Sequence, residues 1–374
     1  MLLTNAVIPT EEGFRAGMCV RLTDGHVAEV AGYLIPAAGE DILDLAGDCL
    51  LPGFVDVHIH AHGGHDAMQG EAALRAMSRA LYREGVAAFL PTTMSASPAE
   101  TRRAVAAIRA VMDKPEAQGA RVLGAHMEAP FLNPAKCGAQ QPEHLCPPDW
   151  QTFLGLTGGD ISAVRTVTLA PELPGAEAFI RQAAQAGISV SLGHSAATAE
   201  QTHAAADWGA TRVTHTFNAQ PLLHHRTPGL AGAAMVDDRL YAEFIADGVH
   251  LHGDIVRLLV RCKGAEKAVA ITDAMEAAGL PDGAYQLGGQ PVTVLGGEAR
   301  LADGTLAGSV LTMRQALENL IHRFGIAPFD AVRMCTRTPA ECIGERTLGQ
   351  IVPGSPAPLT RWTKDWHFID IIGG

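Results

Sequence analysis

The 374-residue sequence lacks several features that would assign it to whole classes of protein. It has no uninterrupted apolar run of about 18 residues, the length that a membrane-spanning helix needs. Its start, MLLTNAVIPTEEGFR, lacks the basic flank and the apolar stretch of a signal peptide. Its seven cysteines are odd in number and include no CxxC pair, which argues against a disulfide framework or a zinc knuckle. We therefore expect a cytoplasmic protein with reduced thiols.

Positive charge is also scarce. The chain carries 28 lysines and arginines against 40 aspartates and glutamates, for a formal net charge of -12. Nucleic acid and anionic membranes both require a concentrated basic surface on their partners. We therefore exclude nucleic acid and membrane as partners and expect a small-molecule ligand, and an anionic one would need a local cationic pocket.

The hydrophobic fraction of 47% is ample for a large core, and its distribution suggests a repeated unit. Helix-like patterns such as EAALRAMSRALYRE from Glu71 separate short apolar runs, and capping boxes stand at Ser97/Glu100 and Thr198/Gln201. Alternating strands and helices predict a parallel sheet, and eight strands predict a closed (β/α)₈ TIM-like barrel over residues 51–345. The predicted strands are Leu51–His58, Val86–Thr93, Arg121–Glu128, Val164–Ala170, Ile188–His194, Arg212–His215, Tyr241–Ala246 and Ala268–Asp273.

The two ends of the chain have a different pattern. Residues 1–50 contain short alternating stretches that are broken by glycine, proline and acids. Because chain ends often lie close together, we predict that residues 1–50 and 346–374 form one small β-sandwich domain. Within the barrel, the segment 218–239 is rich in histidine, proline and glycine, and we predict a long functional loop there rather than a helix.

Ionisable residues stand at the ends of five predicted strands. His58 and His60 lie two apart, so that strand alternation puts both side chains on one face. Four further strand ends supply a carboxylate or an imidazole: Glu128, His194, His215 and Asp273. The carboxyl ends of barrel strands meet at the catalytic face, where these groups can hold a divalent metal with a position open for water. The pattern predicts a metal-dependent hydrolase.

Seven segments in order carry a resemblance to a known family: PGFVDVHIHAHGGHD, GAHMEAPFLNPAKCGAQ, SLGHSAAT, THTFNAQPLLHHRTPGL, IADGVHLH, ITDAMEAAG and LADGTLAGSVLTM. Together they resemble the N-acetylglucosamine-6-phosphate deacetylases of the amidohydrolase superfamily. The resemblance spans about residue 50 to about residue 345. It implies hydrolysis of the acetamide of N-acetyl-D-glucosamine 6-phosphate to glucosamine 6-phosphate and acetate.

The resemblance also implies a role for each matching residue. Asp273 matches the catalytic carboxylate. Three residues match the ligands of the main metal, and two match a pair that holds a second metal in some members: Glu128, His194 and His215, then His58 and His60. The implied cofactor is one or two divalent metals per subunit, zinc foremost, with iron, manganese or cobalt as alternatives.

Further residues match those that bind the substrate. Gln140 lies where some members carry a histidine that orients the acetyl carbonyl and others carry a glutamine. The sugar phosphate would be held by Asn218, the backbone of Ala219, Arg226 and His250. The resemblance implies a homodimer in which Arg226 reaches into the site of the neighbouring subunit.

Other functions stay open at this point. Deacetylation of the galactosamine or mannosamine derivative is an alternative, because each of these substrates differs from the glucosamine derivative only in the configuration of one hydroxyl or acetamide group. A cyclic-amide hydrolase or a deaminase is another alternative, although VRTVTLAPE lacks the lysine that many two-metal cyclic-amide hydrolases carry after the fourth strand. A non-catalytic sugar-phosphate sensor would be expected to lose ligands or the aspartate, and all of them are present here.

Overall fold

A computed structural model describes residues 1–373, and its first five strands form most of a seven-stranded sheet. Strand β1 pairs antiparallel with β2 and parallel with β4 and β5. Asp24 and Gly25, both with positive φ, turn β2 directly into β3, as expected of a two-residue Asp-Gly hairpin. The bounds are β1 Leu2–Thr10, β2 Gly13–Thr23, β3 His26–Ala31, β4 Ile42–Asp44 and β5 Cys49–Pro52.

Eight strands then form a nearly closed parallel barrel, which confirms the predicted TIM-like architecture. Successive strands pair in parallel register from first to eighth. The amide of Asp273 donates to the carbonyl of His58 at 2.9 Å and links the eighth strand end to the first. The barrel strands are β6 Phe54–Ile59, β9 Val86–Thr93, β10 Arg121–Val122 with β11 Ala125–Met127 as one interrupted third strand, β12 Val164–Leu169, β13 Ser189–Leu192, β14 Arg212–Val213, β15 Tyr241–Ile245 and β16 Ala268–Ile271; a hairpin of β7 Ala61–His62 and β8 His65–Asp66 follows β6.

The first barrel strand begins later than the sequence suggests. The predicted run from Leu51 is divided at Gly53, because Cys49–Pro52 pairs with the sheet of the chain ends. A Cβ atom on Gly53 would lie 2.5 Å from the carbonyl oxygen of Pro358, so this crossing point between the two sheets requires glycine.

Amphipathic helices cover the outside of the barrel. In α1, for example, Leu74, Met77 and Leu81 recur at helical spacing and are buried. Both predicted capping boxes are present, at the starts of α2 and α5. The helices are α1 Glu71–Tyr82, α2 Pro98–Asp113, α3 Trp150–Leu156, α4 Ala176–Gln185, α5 Ala199–Trp208, α6 Gly229–Val236, α7 Gly253–Lys263, α8 Met313–Glu318, α9 Pro328–Cys335 and α10 Arg337–Cys342.

The prediction that residues 218–239 contain no helix is wrong, because α6 occupies Gly229–Val236. Every residue of this helix except Val236 is buried. A helix that is apolar on nearly all sides has no polar face, so the periodicity that reveals amphipathic helices does not reveal this one.

The last strands complete both sheets. After the barrel, β17 Gly283–Leu287, β18 Gln290–Leu295 and β19 Glu298–Arg300 form an antiparallel meander. Strands β20 Leu359–Trp362 and β21 Phe368–Ile372 then join the N-terminal sheet through β5. The two chain ends therefore share one sheet, which has its own apolar cluster around Leu3, Val20 and Leu359. The proposed domain boundaries and the β-sandwich remain predictions.

Among residues 1–373, every helix is too short or too polar to cross a lipid bilayer.

Candidate metal centre and active site

Six ionisable side chains meet at the carboxyl end of the barrel, and each of the six residues is at most 8% exposed. They are the strand-end residues singled out from the sequence: His58, His60, Glu128, His194, His215 and Asp273. Burying so many charged and polar groups together is unfavourable unless they compensate one another or bind an ion. Their convergence therefore marks a functional site.

An unusual backbone conformation occurs where three of these strands end. His194, His215 and Asp273 have φ angles of 46°, 27° and 50°. Residues with a side chain rarely adopt this left-handed conformation, and such residues concentrate at functional sites. Each of the three follows the last residue of its strand by two residues, so the chain turns sharply at the mouth of the barrel.

Glu128, His194 and His215 form a first group of potential ligands, with their ligand atoms within 4.8 Å of one another. Oε1 of Glu128 lies 3.2 Å from Nε2 of His194 and 3.1 Å from Nε2 of His215. The two Nε2 atoms are 3.0 Å apart. One carboxylate oxygen and two imidazole nitrogens thus point at a common centre.

His58, His60 and Asp273 form a second group beside the first. Oδ1 of Asp273 lies 3.3 Å from Nε2 of His58 and 3.1 Å from Nε2 of His60. Glu128 stands between the two groups, because its Oε1 is 3.4 Å from Nε2 of His58 and its Oε2 is 3.4 Å from Nε2 of His60. The arrangement offers two adjacent positions for a cation.

Hydrogen bonds behind the imidazoles fit this use. Nδ1 of His60 lies 3.2 Å from the carbonyl oxygen of Thr92, and Nδ1 of His194 lies 2.9 Å from that of Lys136. Because a carbonyl oxygen only accepts, each Nδ1 carries a proton, and the neutral form of each ring therefore has its lone pair on the Nε2 that faces the centre. Nε2 of His58 is buried and has no hydrogen-bond partner among residues 1–373. This nitrogen and carboxylate donor set fits a divalent cation such as zinc.

The two carboxyl groups are held in their ionised form. Burial favours the neutral acid, but the neighbouring His58 and the hydrogen bond from His60 lower the pKa of Asp273 below its ordinary value. Burial also opposes the charge of Glu128, and His58 and His194 lower the pKa of that residue well below its usual range. An ionised Glu128 can ligate a cation, and an ionised Asp273 can accept a proton.

Five of the six candidate ligands, all except His58, line a cavity of about 230 Å³ that is also lined by most of the predicted substrate-binding residues. Gln140 is buried there, with its Nε2 donating to Oε2 of Glu128 at 2.6 Å and its Oε1 accepting from the amide of Ser95. Nδ1 of His250 lies 2.7 Å from Oδ2 of Asp247. Asn218 and Ala219 line the same cavity.

Arg226 is placed apart from the other predicted residues. It is exposed, and its Nη1 donates to Nε2 of His225 at 2.8 Å. It lines a different cavity of about 510 Å³, together with Leu222 and Pro228. Within one chain, therefore, the predicted phosphate-binding arginine does not reach the cavity that holds the other groups.

Several residues around the centre were not identified from the sequence. Met94, Leu287 and Leu306 supply apolar walls of the cavity; Leu287 ends the first strand of the antiparallel meander, and Leu306 follows its last strand. Glu243 and Arg212 lie beneath the metal-binding groups inside the barrel. A charged residue within an otherwise apolar strand is unfavourable to bury unless it is paired. This pattern in β14 and β15 could have drawn attention to Arg212 and Glu243.

Comparisons with known proteins agree with this geometry. The sequence model of the amidohydrolase family matches residues 49–370. The chain is 37% identical to N-acetylgalactosamine-6-phosphate deacetylase of Escherichia coli O157:H7, over 96% of this chain and 94% of that protein. It is 36% identical to N-acetylglucosamine-6-phosphate deacetylase of Lysinibacillus sphaericus, over 96% of this chain and 92% of that protein.

A solved structure is similar over the whole chain. It is a mutant N-acetyl-D-glucosamine-6-phosphate deacetylase from Mycobacterium smegmatis in complex with N-acetyl-D-glucosamine-6-phosphate. The TM-score is 0.91 at 33% sequence identity, and the match covers 100% of this chain and 97% of that chain.

Proposed function

The chain belongs to the amidohydrolase family, and from this premise we propose that it hydrolyses the N-acetyl group of N-acetyl-D-glucosamine 6-phosphate. The products are glucosamine 6-phosphate and acetate. The observation that carries the proposal is the convergence of Glu128, His194, His215 and Asp273 in one cavity. Relatives with this activity in their names match more than nine-tenths of the chain.

Amide hydrolysis needs an activated water, a polarised carbonyl and a proton for the departing amine. When bound, a divalent cation lowers the pKa of water and polarises the carbonyl. Glu128, His194 and His215 would hold the main cation, and His58 and His60 would hold a second. We propose zinc, because it suits nitrogen and carboxylate ligands, with iron, manganese or cobalt as substitutes.

Asp273 is the proposed general base and then the general acid. Its ionised carboxylate takes a proton from the attacking water and delivers that proton to the sugar nitrogen as the carbon–nitrogen bond breaks. Gln140 would orient the acetyl carbonyl, which its place in the cavity beside Glu128 permits.

Asn218, the backbone of Ala219 and His250 would hold the sugar phosphate within the subunit. Arg226 would complete the phosphate site from a neighbouring subunit, since it lies outside the cavity of its own chain. The homodimer is therefore part of the proposal. So is a cytoplasmic location, which the seven free thiols support, because disulfides are rare in that compartment.

N-acetyl-D-galactosamine 6-phosphate is the second candidate substrate. The observation in its favour is the 37% identity with the Escherichia coli O157:H7 protein that is named for this activity. The two sugars differ only in the configuration of one hydroxyl group, so the same metal centre would serve either substrate.

The test is acetate release from the glucosamine, galactosamine and mannosamine derivatives, each as the 6-phosphate. Metal content is measured on the same preparation. We expect the highest kcat/KM for the glucosamine compound. A higher value for galactosamine would replace the first candidate by the second. Absence of acetate from all three, after loading with zinc, iron, manganese or cobalt in turn, would refute the proposal.

A further inference from the structure

An ion pair lies inside the barrel beneath the second group of metal-binding residues. Arg212 on β14 and Glu243 on β15 are both fully buried, and Nη2 of the arginine donates to Oε1 of the glutamate. Nη1 of Arg212 donates to the hydroxyl of Thr166 at 2.9 Å. A buried ion pair is often no more stable than apolar residues of equal volume, so its presence calls for a role other than stability.

The second oxygen of Glu243 contacts a metal-binding residue. Its Oε2 lies 3.1 Å from Nδ1 of His58. Because the paired guanidinium stabilises the carboxylate anion, Glu243 can only accept, and Nδ1 of His58 must carry the proton. In the neutral ring, the form that can bind a cation, the lone pair is then on Nε2, which lies 3.3 Å from Oδ1 of Asp273.

His58 differs from two other imidazoles of the centre in what orients it. His60 and His194 donate to backbone carbonyls, those of Thr92 and Lys136. His58 depends on a side chain that is itself held by Arg212. Its orientation can therefore be changed by substitution without altering the backbone.

We propose that Glu243, fixed by Arg212, is a positioning residue that sets the tautomer and the ring orientation of His58. Through His58 it controls occupancy of the second metal position, which His58, His60 and Asp273 form. The inference rests on the metal dependence of the proposed function and assigns no catalytic step to either residue.

Two variants test the proposal through opposite effects. In Glu243→Gln, Arg212 attracts the amide oxygen, so the amide NH₂ faces Nδ1 of His58 and imposes the wrong tautomer. In Arg212→Met/Glu243→Gln the amide is free to turn, and its oxygen again accepts from Nδ1. We expect the single variant to bind the second metal equivalent about 10- to 100-fold more weakly, the usual effect of losing a partner behind a metal ligand. The double variant should recover most of the loss.

Metal binding is read out directly. Protein stripped with a chelator is titrated with Zn²⁺ under competition from a chromophoric chelator, and Co²⁺ spectra report the two positions separately. Wild-type protein should bind two equivalents of metal. In Glu243→Gln and in Arg212→Met/Glu243→Gln, the first equivalent should bind with the wild-type affinity. Arg212→Met/Glu243→Leu, which lacks both charges and the acceptor, should lose the second equivalent although its interior is apolar and filled.

Lys263→Met is the matched control. Lys263, the last residue of α7, is another buried cation; it is 6% exposed, and its Nζ donates to the carbonyl of Asp237 at 2.8 Å. The Lys263→Met substitution should change the unfolding temperature and leave the affinities for both metal equivalents unaltered.

Three results would overturn the positioning role: one equivalent in wild type, an unchanged second affinity in Glu243→Gln and in the leucine double variant, or no recovery in Arg212→Met/Glu243→Gln. Wild-type protein that binds no metal at all would instead overturn the metal dependence of the proposed function. Circular dichroism establishes that each variant is folded before titration.

Discussion

The carboxyl end of the barrel and the loop at residues 218–228 carry the two halves of the proposed site and differ in how they are built. The metal-binding residues are at most 8% exposed and are held by strand ends within one chain. In the loop, by contrast, Leu222 is 89% exposed, Leu223 is 47% exposed, and Arg226 faces solvent. The proposed hydrolysis is organised inside one subunit, whereas the proposed contact between Arg226 and the phosphate depends on a neighbouring subunit.

The barrel end and the loop differ because they are made rigid in different ways. Parallel strands in a barrel hold one another in register through backbone hydrogen bonds, so groups at their ends keep fixed distances. A loop with exposed leucines gains order only by burying them, and clustered apolar side chains at a surface are typical of protein interfaces. This contrast supports the proposed homodimer and leads to five predictions, from the largest expected effect to the smallest.

Replacing the proposed base should have the largest effect. Asp273→Asn should lower turnover by about 10²- to 10⁴-fold, because an amide forms hydrogen bonds but does not accept the proton. The main metal should remain bound, since its ligands Glu128, His194 and His215 are intact. The measurements are kcat and elemental analysis of the same sample. A variant that kept more than about a hundredth of the wild-type rate would contradict the role.

Removal of ligands should separate the two groups within the barrel end. His194→Ala and His215→Ala should each lose metal and activity together, because both nitrogens face Glu128 in the first group. His58→Ala should retain the main metal and part of the activity. The metal content per subunit is measured for each variant. If only His58→Ala abolished metal binding, the assignment of main and second positions would be reversed.

A substitution in the loop should weaken binding of the sugar phosphate without changing the hydrolysis step. Arg226→Ala should lower kcat/KM for the 6-phosphate, because charged hydrogen bonds are lost. The decrease should correspond to roughly 2–4 kcal/mol of transition-state binding free energy. Reaction with the unphosphorylated acetylamino sugar should barely change. Equal losses on both substrates would show that the arginine does not bind phosphate.

Mixed dimers test whether this arginine acts between subunits. A hybrid of Asp273→Asn and Arg226→Ala subunits contains one site with an intact aspartate and the arginine of the partner. It should recover part of the phosphate-dependent activity that neither parent has. Verified hybrids without recovery would contradict the shared site and would remove the contrast between the barrel end and the loop.

The smallest expected effect concerns pH. Burial disfavours the charged form of His250, but the hydrogen bond and the charge of Asp247 raise the pKa of the imidazole above its usual value. Phosphate binding that uses this cation is present below the raised pKa and weakens as pH rises through it. Asp247→Asn removes the stabilising charge, so the rise in KM for the 6-phosphate should move to lower pH. An unmoved rise would exclude His250 as the titrating group.

Much of the barrel could be predicted because local patterns record it. Val86–Thr93 matches a strand exactly, and the other runs differ from the observed strands by a few residues at their ends. The strand-end residues could be identified because a carboxylate or an imidazole at the end of an apolar run is easily recognised in the sequence alone. Parallel pairing then brings all such ends to one face, so sequence position alone implies proximity.

Other features depend on contacts between segments that are distant in sequence. Helix α6 is buried on almost every side and has no periodic signal. The walls formed by Leu287 and Leu306 come from the meander after the last barrel strand and from the segment that follows it. No local pattern specifies how these segments dock on the barrel.

The sequence by itself determined the eight strands and the ligand types at their ends, because backbone alternation and polarity are local properties. Only the tertiary structure placed Glu243 between Arg212 and His58, which are 31 and 185 residues away from it in sequence. It also separated Arg226 from the cavity of its own chain. Both outcomes follow from the closure of the barrel and the course of a long loop, which depend on packing across the whole chain.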